Sequence, residues 1–441
     1  MKKKYKVCII GLGYVGLTLG LHLSKKKIKV YGYDSNKEIL KNLSLGKTHI
    51  FENNIENILK KSIKNNFFQL SEKIRDDCNI YIVTVGTPLT YDKKQRKFIS
   101  NLESIKDISQ KLSNVIQKKS LIIFRSTLPI GTCRNIVIEI LKKKKLKVEK
   151  DYFLSFAPER TVEGNAIQEL QKLPQIVSGF GKKSLYLSSN FFSTISNKIV
   201  KVKSLEAAEM VKLLNNSFRD LSFAFSNQVS MICGQYNLNT NEIINNANDN
   251  YPRNQIPLAS PGVGGPCLTK DPYILDESIS KNKDTKSIFT ISRDINNKIV
   301  FNLIDKINKL LGSRKTRKIL LCGLSFKGYP ETKDYRGSIT LVFFQFLKKN
   351  KNFKVFIHDP LFDSLEIKKL LGVESENFGK IKNEYDCIII MNNNRFYKNT
   401  KPNIYANLLK KDGLIFDYWS SLKNKFKQIK KLKKNSKYFE L

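Results

Sequence analysis

A chain of 441 residues exceeds one ordinary domain and predicts two or three. Its 41% hydrophobic content is enough to bury sizeable cores and excludes a disordered chain. The formal net charge of +39 invites a polyanionic partner. Yet Lys also fills loops such as Lys60-Lys61 and Lys142 to Lys145, and no stripe of cations interleaved with aromatics stands out. The charge therefore reads as lysine spread over solvated surface, with no nucleic-acid partner expected.

The cysteines (Cys8, Cys78, Cys133, Cys233, Cys267, Cys322 and Cys387) form no CxxC pair, which suggests reduced thiols and a cytoplasmic protein. With His limited to His22, His49 and His358, no metal site is expected. Basic Met1 to Lys4 followed by the apolar run Val7 to Leu23 mimics a leader, but Gly11, Gly13, Gly16 and Gly20 interrupt it. No stretch reaches the roughly 18 apolar residues of a membrane span, so no membrane partner is expected.

Lys6 to Ile10 reads as a strand, Gly11 to Gly16 as a turn, Leu17 to Lys25 as a helix and Ile28 to Tyr33 as the next strand. Ile80 to Val85 and Leu121 to Phe124 are further buried strands, each followed by turn chemistry. Strands alternating with helical patterns imply a parallel, doubly wound sheet. Apolar residues at 210, 211, 213, 214, 218, 221, 225, 229 and 232 predict a long helix over Leu205 to Tyr236. It reads as a connector between domains and a natural dimerisation surface, or as a buried core helix. A second α/β unit starts at Lys318 to Cys322 and continues through Val355 to Ile357, Cys387 to Met391 and Leu414 to Asp417. The tail from Lys423, with eight Lys in 19 residues, reads as a partly ordered, solvated end. The fold class is thus α/β, two Rossmann-like doubly wound domains joined by a long central helix.

Three motifs carry chemistry. Gly11-Leu12-Gly13-Tyr14-Val15-Gly16 follows a strand and opens a helix, where free N–H groups and the helix dipole favour a pyrophosphate. Asp34 ends the second strand, 18 residues after Gly16. A carboxylate there accepts from ribose hydroxyls and repels a 2′-phosphate, which predicts NAD over NADP. In Pro261 to Pro272, Gly264 and Gly265 leave Cys267 open to close approach by a bulky substrate. Lys270 could favour the thiolate, and Asp271 could hold a proton or orient a water. Lys212 and Asn216, four apart on the long helix, share a face and together suit stabilisation of an oxyanion.

The ordered set resembles the UDP-glucose/GDP-mannose dehydrogenase family, the nucleotide-sugar 6-dehydrogenases. Besides these motifs it includes Val85-Gly86-Thr87-Pro88, Arg125 to Thr132, Ala157-Pro158-Glu159-Arg160, Gly323 to Gly328 and Lys333 to Ser338. The resemblance implies three domains, an NAD-binding domain over 1–203, a central helical and dimerisation domain over 204–310 and a nucleotide-sugar-binding domain over 311–441. It implies oxidation of a sugar CH2OH to a carboxylate with two NAD, through a thiohemiacetal and thioester on Cys267. Lys212 and Asn216 would stabilise oxyanions, Asp271 would act through water, and Thr127 and Glu159 would place water and cofactor. Gly11, Gly13, Tyr14, Val15, Gly16, Asp34, Thr87, Thr127 and Lys270 are the expected cofactor residues. Arg160, Arg253, Gly264, Gly265, Lys327 and Arg336 are the expected substrate residues, with Arg253 reaching a partner subunit of a homodimer or larger homo-oligomer.

The Pro-Glu-Arg form at 158–160 resembles members acting on UDP-N-acetylmannosamine or UDP-N-acetylglucosamine, for surface polysaccharide, rather than UDP-glucose or GDP-mannose. Gln228 stands where the family often has Glu, and Pro266 removes a backbone donor beside Cys267. A two-electron β-hydroxyacid dehydrogenase and an anion-binding non-enzyme are the competing readings.

Overall fold

The computed structural model describes residues 5–94, 96–279, 286–312, 316–373, 375, 378 and 385–441. The chain forms two compact units, Met1–Asn216 with Tyr273–Lys283 and Ser217–Pro272 with Asp284–Leu441.

The first unit is built on β1 (Lys6–Ile10), β2 (Lys29–Tyr33), β3 (Phe68–Ser71), β4 (Ile80–Val83), β5 (Leu89–Asp92), β6 (Lys97–Ser100), β7 (Ser120–Phe124) and β8 (Tyr152–Phe156). Six of these form a parallel sheet in the order β3-β2-β1-β4-β7-β8, and β5 and β6 pair as an antiparallel hairpin. Alternate residues feed two cores. Val7, Ile9, Ile82 and Ile123 pack on one face of the sheet, and Cys8, Ile10, Val83, Ile122 and Phe124 on the other. Burial on both faces is why these strands read as continuous apolar runs. A small parallel pair, β9 (Gln175–Val177) and β10 (Ile199–Lys201), completes the unit.

The second unit repeats the plan with β11 (Arg317–Cys322), β12 (Phe353–His358), β13 (Tyr385–Ile390), β14 (Leu409–Asp417) and β15 (Lys437–Phe439). They are parallel in the order β12-β11-β13-β14-β15, again with a core on each face. In each sheet the order reverses beside the first strand of the unit, the kind of switch point where open α/β sheets bind ligands.

The C-terminal tail differs from expectation. Lys423–Leu432 is a helix and β15 adds to the sheet edge. Ile429 is buried, Phe439 stacks on Phe416 at 4.9 Å, and the Tyr438 hydroxyl donates to Asp417 Oδ2 at 2.8 Å. A few apolar and aromatic side chains order the segment, Lys425 ties it to the Thr400 carbonyl at 2.8 Å, and most of its other lysines stay exposed.

The long helix runs Leu205–Tyr236, about 48 Å at 1.5 Å per residue. Its apolar positions are not all inward. Met210, Leu214, Phe218, Phe225 and Ile232 are 41% to 69% exposed, whereas Glu209, Asn216, Asp220 and Asn227 are buried. Glu209 accepts from the N–H groups of Gly131 (2.6 Å) and Cys133 (2.9 Å), which fixes the turn after Thr127 on the helix.

Arg125 ends β7, and its guanidinium is paired with the Glu159 carboxylate beyond the end of β8, both side chains buried. Burial works against the Glu159 charge. The Arg125 charge and hydrogen bond, with the N–H groups of Thr161 and Arg160, outweigh it and hold the carboxyl below its usual range. Arg125→Met leaves this carboxylate buried and unpaired and should cost about 3–5 kcal/mol. In the native chain the depressed pKa contributes stability above about pH 4.5 that is lost as pH falls. In the variant burial raises the pKa, so stability is lost as pH rises. Thermal melts at pH 5 and pH 8 should therefore show a gap between the two proteins that widens at the higher pH.

Candidate functional site

In the first unit the turn after β1 is set by contacts that exclude side chains. Gly11 holds φ +93°, and a Cβ on Gly16 would lie 1.9 Å from the Gly11 carbonyl oxygen. The Gly11 carbonyl accepts from the Thr84 hydroxyl at 2.6 Å. Gly13 is different, because nothing lies within 4 Å of where its Cβ would be. It caps the helix Tyr14–Lys25, and no side chain caps that helix among the described residues. Open space before uncapped first-turn amides, including those of Tyr14 and Val15, is what a pyrophosphate requires. At the end of β2, Asp34 Oδ2 accepts from Leu12 N–H (2.8 Å) and Oδ1 from Asn36 N–H (2.9 Å), while the residue stays partly exposed. A carboxylate so placed fits a ribose diol and disfavours a 2′-phosphate. The residues present fit NAD.

The second unit carries the same main-chain device. Gly323 holds φ +112° after β11, and Asp359 beyond β12 accepts from Leu324 N–H (2.7 Å) and Ser325 N–H (3.0 Å). Asp359 is 2% exposed, so its carboxylate serves the turn, while Asp34 can also meet a ligand.

Around the switch point of the first sheet, the Thr87 hydroxyl donates to the Thr127 carbonyl and the Ser126 hydroxyl to the Val85 carbonyl, both at 2.6 Å. These bonds zip together the loops after β4 and β7, and they engage Thr87 with the chain itself. Glu159 is similarly occupied. Oε2 faces Arg125, and Oε1 accepts from Arg160 N–H (2.7 Å) and Thr161 N–H (2.9 Å). Such a carboxylate is an anchor for its loop more than a proton carrier. Arg160 directs its guanidinium to the Pro174 carbonyl at 2.5 Å. Lys212, half-buried, and Asn216, 8% exposed, lie on the inward face of the long helix, in register with Glu209.

In the second unit the structure brings together two motifs that lie about seventy residues apart in the chain. Gly265 holds φ +92°, its N–H donates to the Gly337 carbonyl (3.1 Å), and a Cβ on it would meet the Phe326 ring at 2.7 Å. A Cβ on Gly264 would lie 2.4 Å from the Gly337 oxygen. The Thr269 hydroxyl donates to the Gly265 carbonyl at 2.7 Å and closes the turn. Of the seven cysteines only Cys267 is exposed; the other six are buried. Lys270 and Asp271 follow it, both donating their N–H to the Cys267 carbonyl. The Lys270 ammonium pairs with the fully buried Asp271 carboxylate at 2.7 Å, so its charge is committed first to Asp271.

Lys327 lies over the Phe326 ring (5.6 Å), and Arg336, exposed, is paired with Asp334. Both therefore stand on the segment against which Gly264 and Gly265 pack. Arg253 is apart from them, exposed in a loop and stacked over Tyr251 at 5.5 Å.

A polar network missed by sequence reasoning holds the thiol loop from below. Arg293 pairs with Asp220 (2.6 Å) and reaches the Val263 carbonyl (3.3 Å). Asn296 bonds Asp220 Oδ1 (2.9 Å), Asn227 bonds Asn296 (2.9 Å), and Asn227 Oδ1 accepts from Ser260 N–H (2.9 Å). The sequence signal for this network is the polar spacing Lys212, Asn216, Asp220 on one helix face. Among the described residues no cluster of three His, Cys, Asp or Glu could hold a metal ion. No helix among them is long and apolar enough to cross a membrane.

Comparison with known proteins bears on this arrangement. Residues 5–195 match the NAD binding domain of the UDP-glucose/GDP-mannose dehydrogenase family, 206–298 its central domain and 320–424 its UDP binding domain. UDP-N-acetyl-D-mannosamine dehydrogenase of Methanococcus aeolicus is 30% identical over 400 residues, covering 90% of this chain and 86% of that one. The Campylobacter jejuni protein of the same name is 29% identical over 375 residues, covering 83% and 89%. The solved UDP-D-ManNAc dehydrogenase from Pyrococcus horikoshii superposes with a TM-score of 0.77 at 27% identity, covering 93% of this chain and 94% of that one. The chain belongs to the UDP-glucose/GDP-mannose dehydrogenase family and is an NAD-dependent nucleotide-sugar dehydrogenase.

Proposed function

We propose that the chain oxidises C6 of UDP-N-acetylmannosamine, or of UDP-N-acetylglucosamine, to the uronic acid used in surface polysaccharide, through covalent catalysis by Cys267. The observation that carries this reading is the exposed thiol on a glycine loop, against six buried cysteines. The sugar is supported by the names of the relatives and by the Pro158-Glu159-Arg160 segment. The domain division follows the sequence reading, with NAD held by 1–203, the thiol presented by 204–310 and the nucleotide-sugar held by 311–441.

Four electrons leave C6 as two hydride equivalents, for which NAD is the acceptor. After the first oxidation the Cys267 sulfur adds to the aldehyde carbon, and the carbonyl oxygen takes a proton. Loss of that proton with the second hydride equivalent leaves a thioester. Water then adds to the thioester carbon, the C–S bond breaks, and the carboxylate departs from a regenerated thiol. Lys212 and Asn216 donate to the oxygen as it gains charge. Asp271, paired with Lys270, orients water. Thr127 and the anchored Glu159 shape the loops around the reacting carbon. Gly264 and Gly265 permit close approach, and Arg160, Lys327 and Arg336 counter the charge of the diphosphate and product.

The exposed Phe218, Phe225 and Ile232, spaced seven apart on the long helix, support a homodimer built on that helix, with Arg253 contributed across it. Scattered, reduced thiols support a cytoplasmic enzyme.

Incubation with NAD and candidate nucleotide-sugars should release two NADH per UDP-N-acetylmannosamine, with less from UDP-glucose and GDP-mannose. A ratio of one would sink the thioester route. Cys267→Ser should lower turnover at least about a thousandfold, the scale of losing a covalent nucleophile. For the interface, Phe225→Asp should halve the mass seen by sedimentation, and an unchanged mass would remove the helix from the contact.

A further inference from the structure

The segment after β8 is fastened at both ends, and its far end is tied to the dinucleotide turn. At the near end Glu159 is held by Arg125. At the far end the Tyr14 hydroxyl accepts from Gly164 N–H at 2.7 Å, and Glu52 Oε1 accepts from Ala166 N–H at 2.9 Å. Between them, Val162 N–H is taken by Glu169 Oε2 at 2.8 Å. Gly164 is buried and holds φ +87°, a conformation any other residue would strain to adopt, and the bonds at Gly164 and Ala166 hold it there. Tyr14 is the first residue of the helix Tyr14–Lys25. Its backbone amide therefore belongs to the pyrophosphate-binding turn, while its side chain, a rigid ring with two torsions, ends on the loop that carries Glu159 and Arg160.

We propose that Tyr14 is a positioning residue that couples occupancy of the NAD site to the geometry of the 159–164 loop, so that cofactor and nucleotide-sugar strengthen each other's binding. This rests on the reading of that loop as substrate-holding. A pyrophosphate on the first-turn amides orders the main chain of Tyr14, and the phenol transmits that order to Gly164. A loop already ordered gives up less entropy when the sugar binds. Linkage requires the effect to be reciprocal.

The test uses NADH, which cannot oxidise the sugar, in the full-length protein. The NADH Kd is measured by its fluorescence, alone and with saturating UDP-N-acetylmannosamine, in native protein and in Tyr14→Phe. That variant keeps the ring and removes only the hydroxyl. The expected result is at least about a fivefold tightening of NADH by the sugar in native protein, falling below about twofold in Tyr14→Phe. The ratio of the two Kd values is the readout, so a general weakening of the fold, which moves both together, does not imitate it. Equal coupling in the two proteins, or none in native protein, overturns the proposal. Both of those outcomes leave the dehydrogenase reading intact, which fails separately if native protein produces no NADH from NAD and any nucleotide-sugar.

Discussion

Gly265 donates to the Gly337 carbonyl, and the hydrogen that Gly264 carries in place of a side chain leaves room for the Gly337 oxygen. The seating of the thiol loop depends on this approach of main chain to main chain. A methyl group at either position would overlap the carbonyl or the Phe326 ring and lift the loop. The loop thus takes its shape from a neighbour as well as from its own hydrogen bonds, and Cys267 is left exposed while Val263 and Leu268 on either side are buried.

Beneath the loop the restraint is ionic. Asp220 and Arg293 are buried, and Asn227 and Asn296 join them, which places a fully polar cluster where a helix pair would ordinarily meet through leucines. Burial raises the Asp220 carboxyl above its usual range even against Arg293, so the cluster carries an electrostatic cost. What it gains is direction, since Arg293 and Asn227 each end on main-chain atoms of 260–263. Apolar packing would stabilise the helices as well but would not orient a loop.

Each unit also shows one device for turning a strand into a helix or loop. A glycine with positive φ follows the first strand, and a carboxylate at the end of the second strand accepts the next N–H group. Partial exposure of Asp34 and burial of Asp359 separate the two uses of the device, one available to a ligand and one purely internal.

The sequence by itself determined the strands with unbroken apolar runs, the glycine turn, the long helix and the thiol among glycines, because each of these is encoded locally by period, spacing or backbone permissiveness. It did not show β3 or the β5–β6 hairpin, whose segments Phe68–Ser71, Leu89–Asp92 and Lys97–Ser100 are short and mixed in character. Nor did it show that the lysine-rich tail is a helix ending in an edge strand, since Phe439 gains its meaning only from Phe416 beside it. Tertiary structure alone decided which face of the long helix is wet, because apolar and polar residues both recur there at helical spacing and only the packing of Glu209, Asn216, Asp220 and Asn227 inward turns Phe218 and Phe225 outward. It also decided the company of Cys267, for a glycine in the sequence states that close approach is possible, and only the fold supplies what approaches.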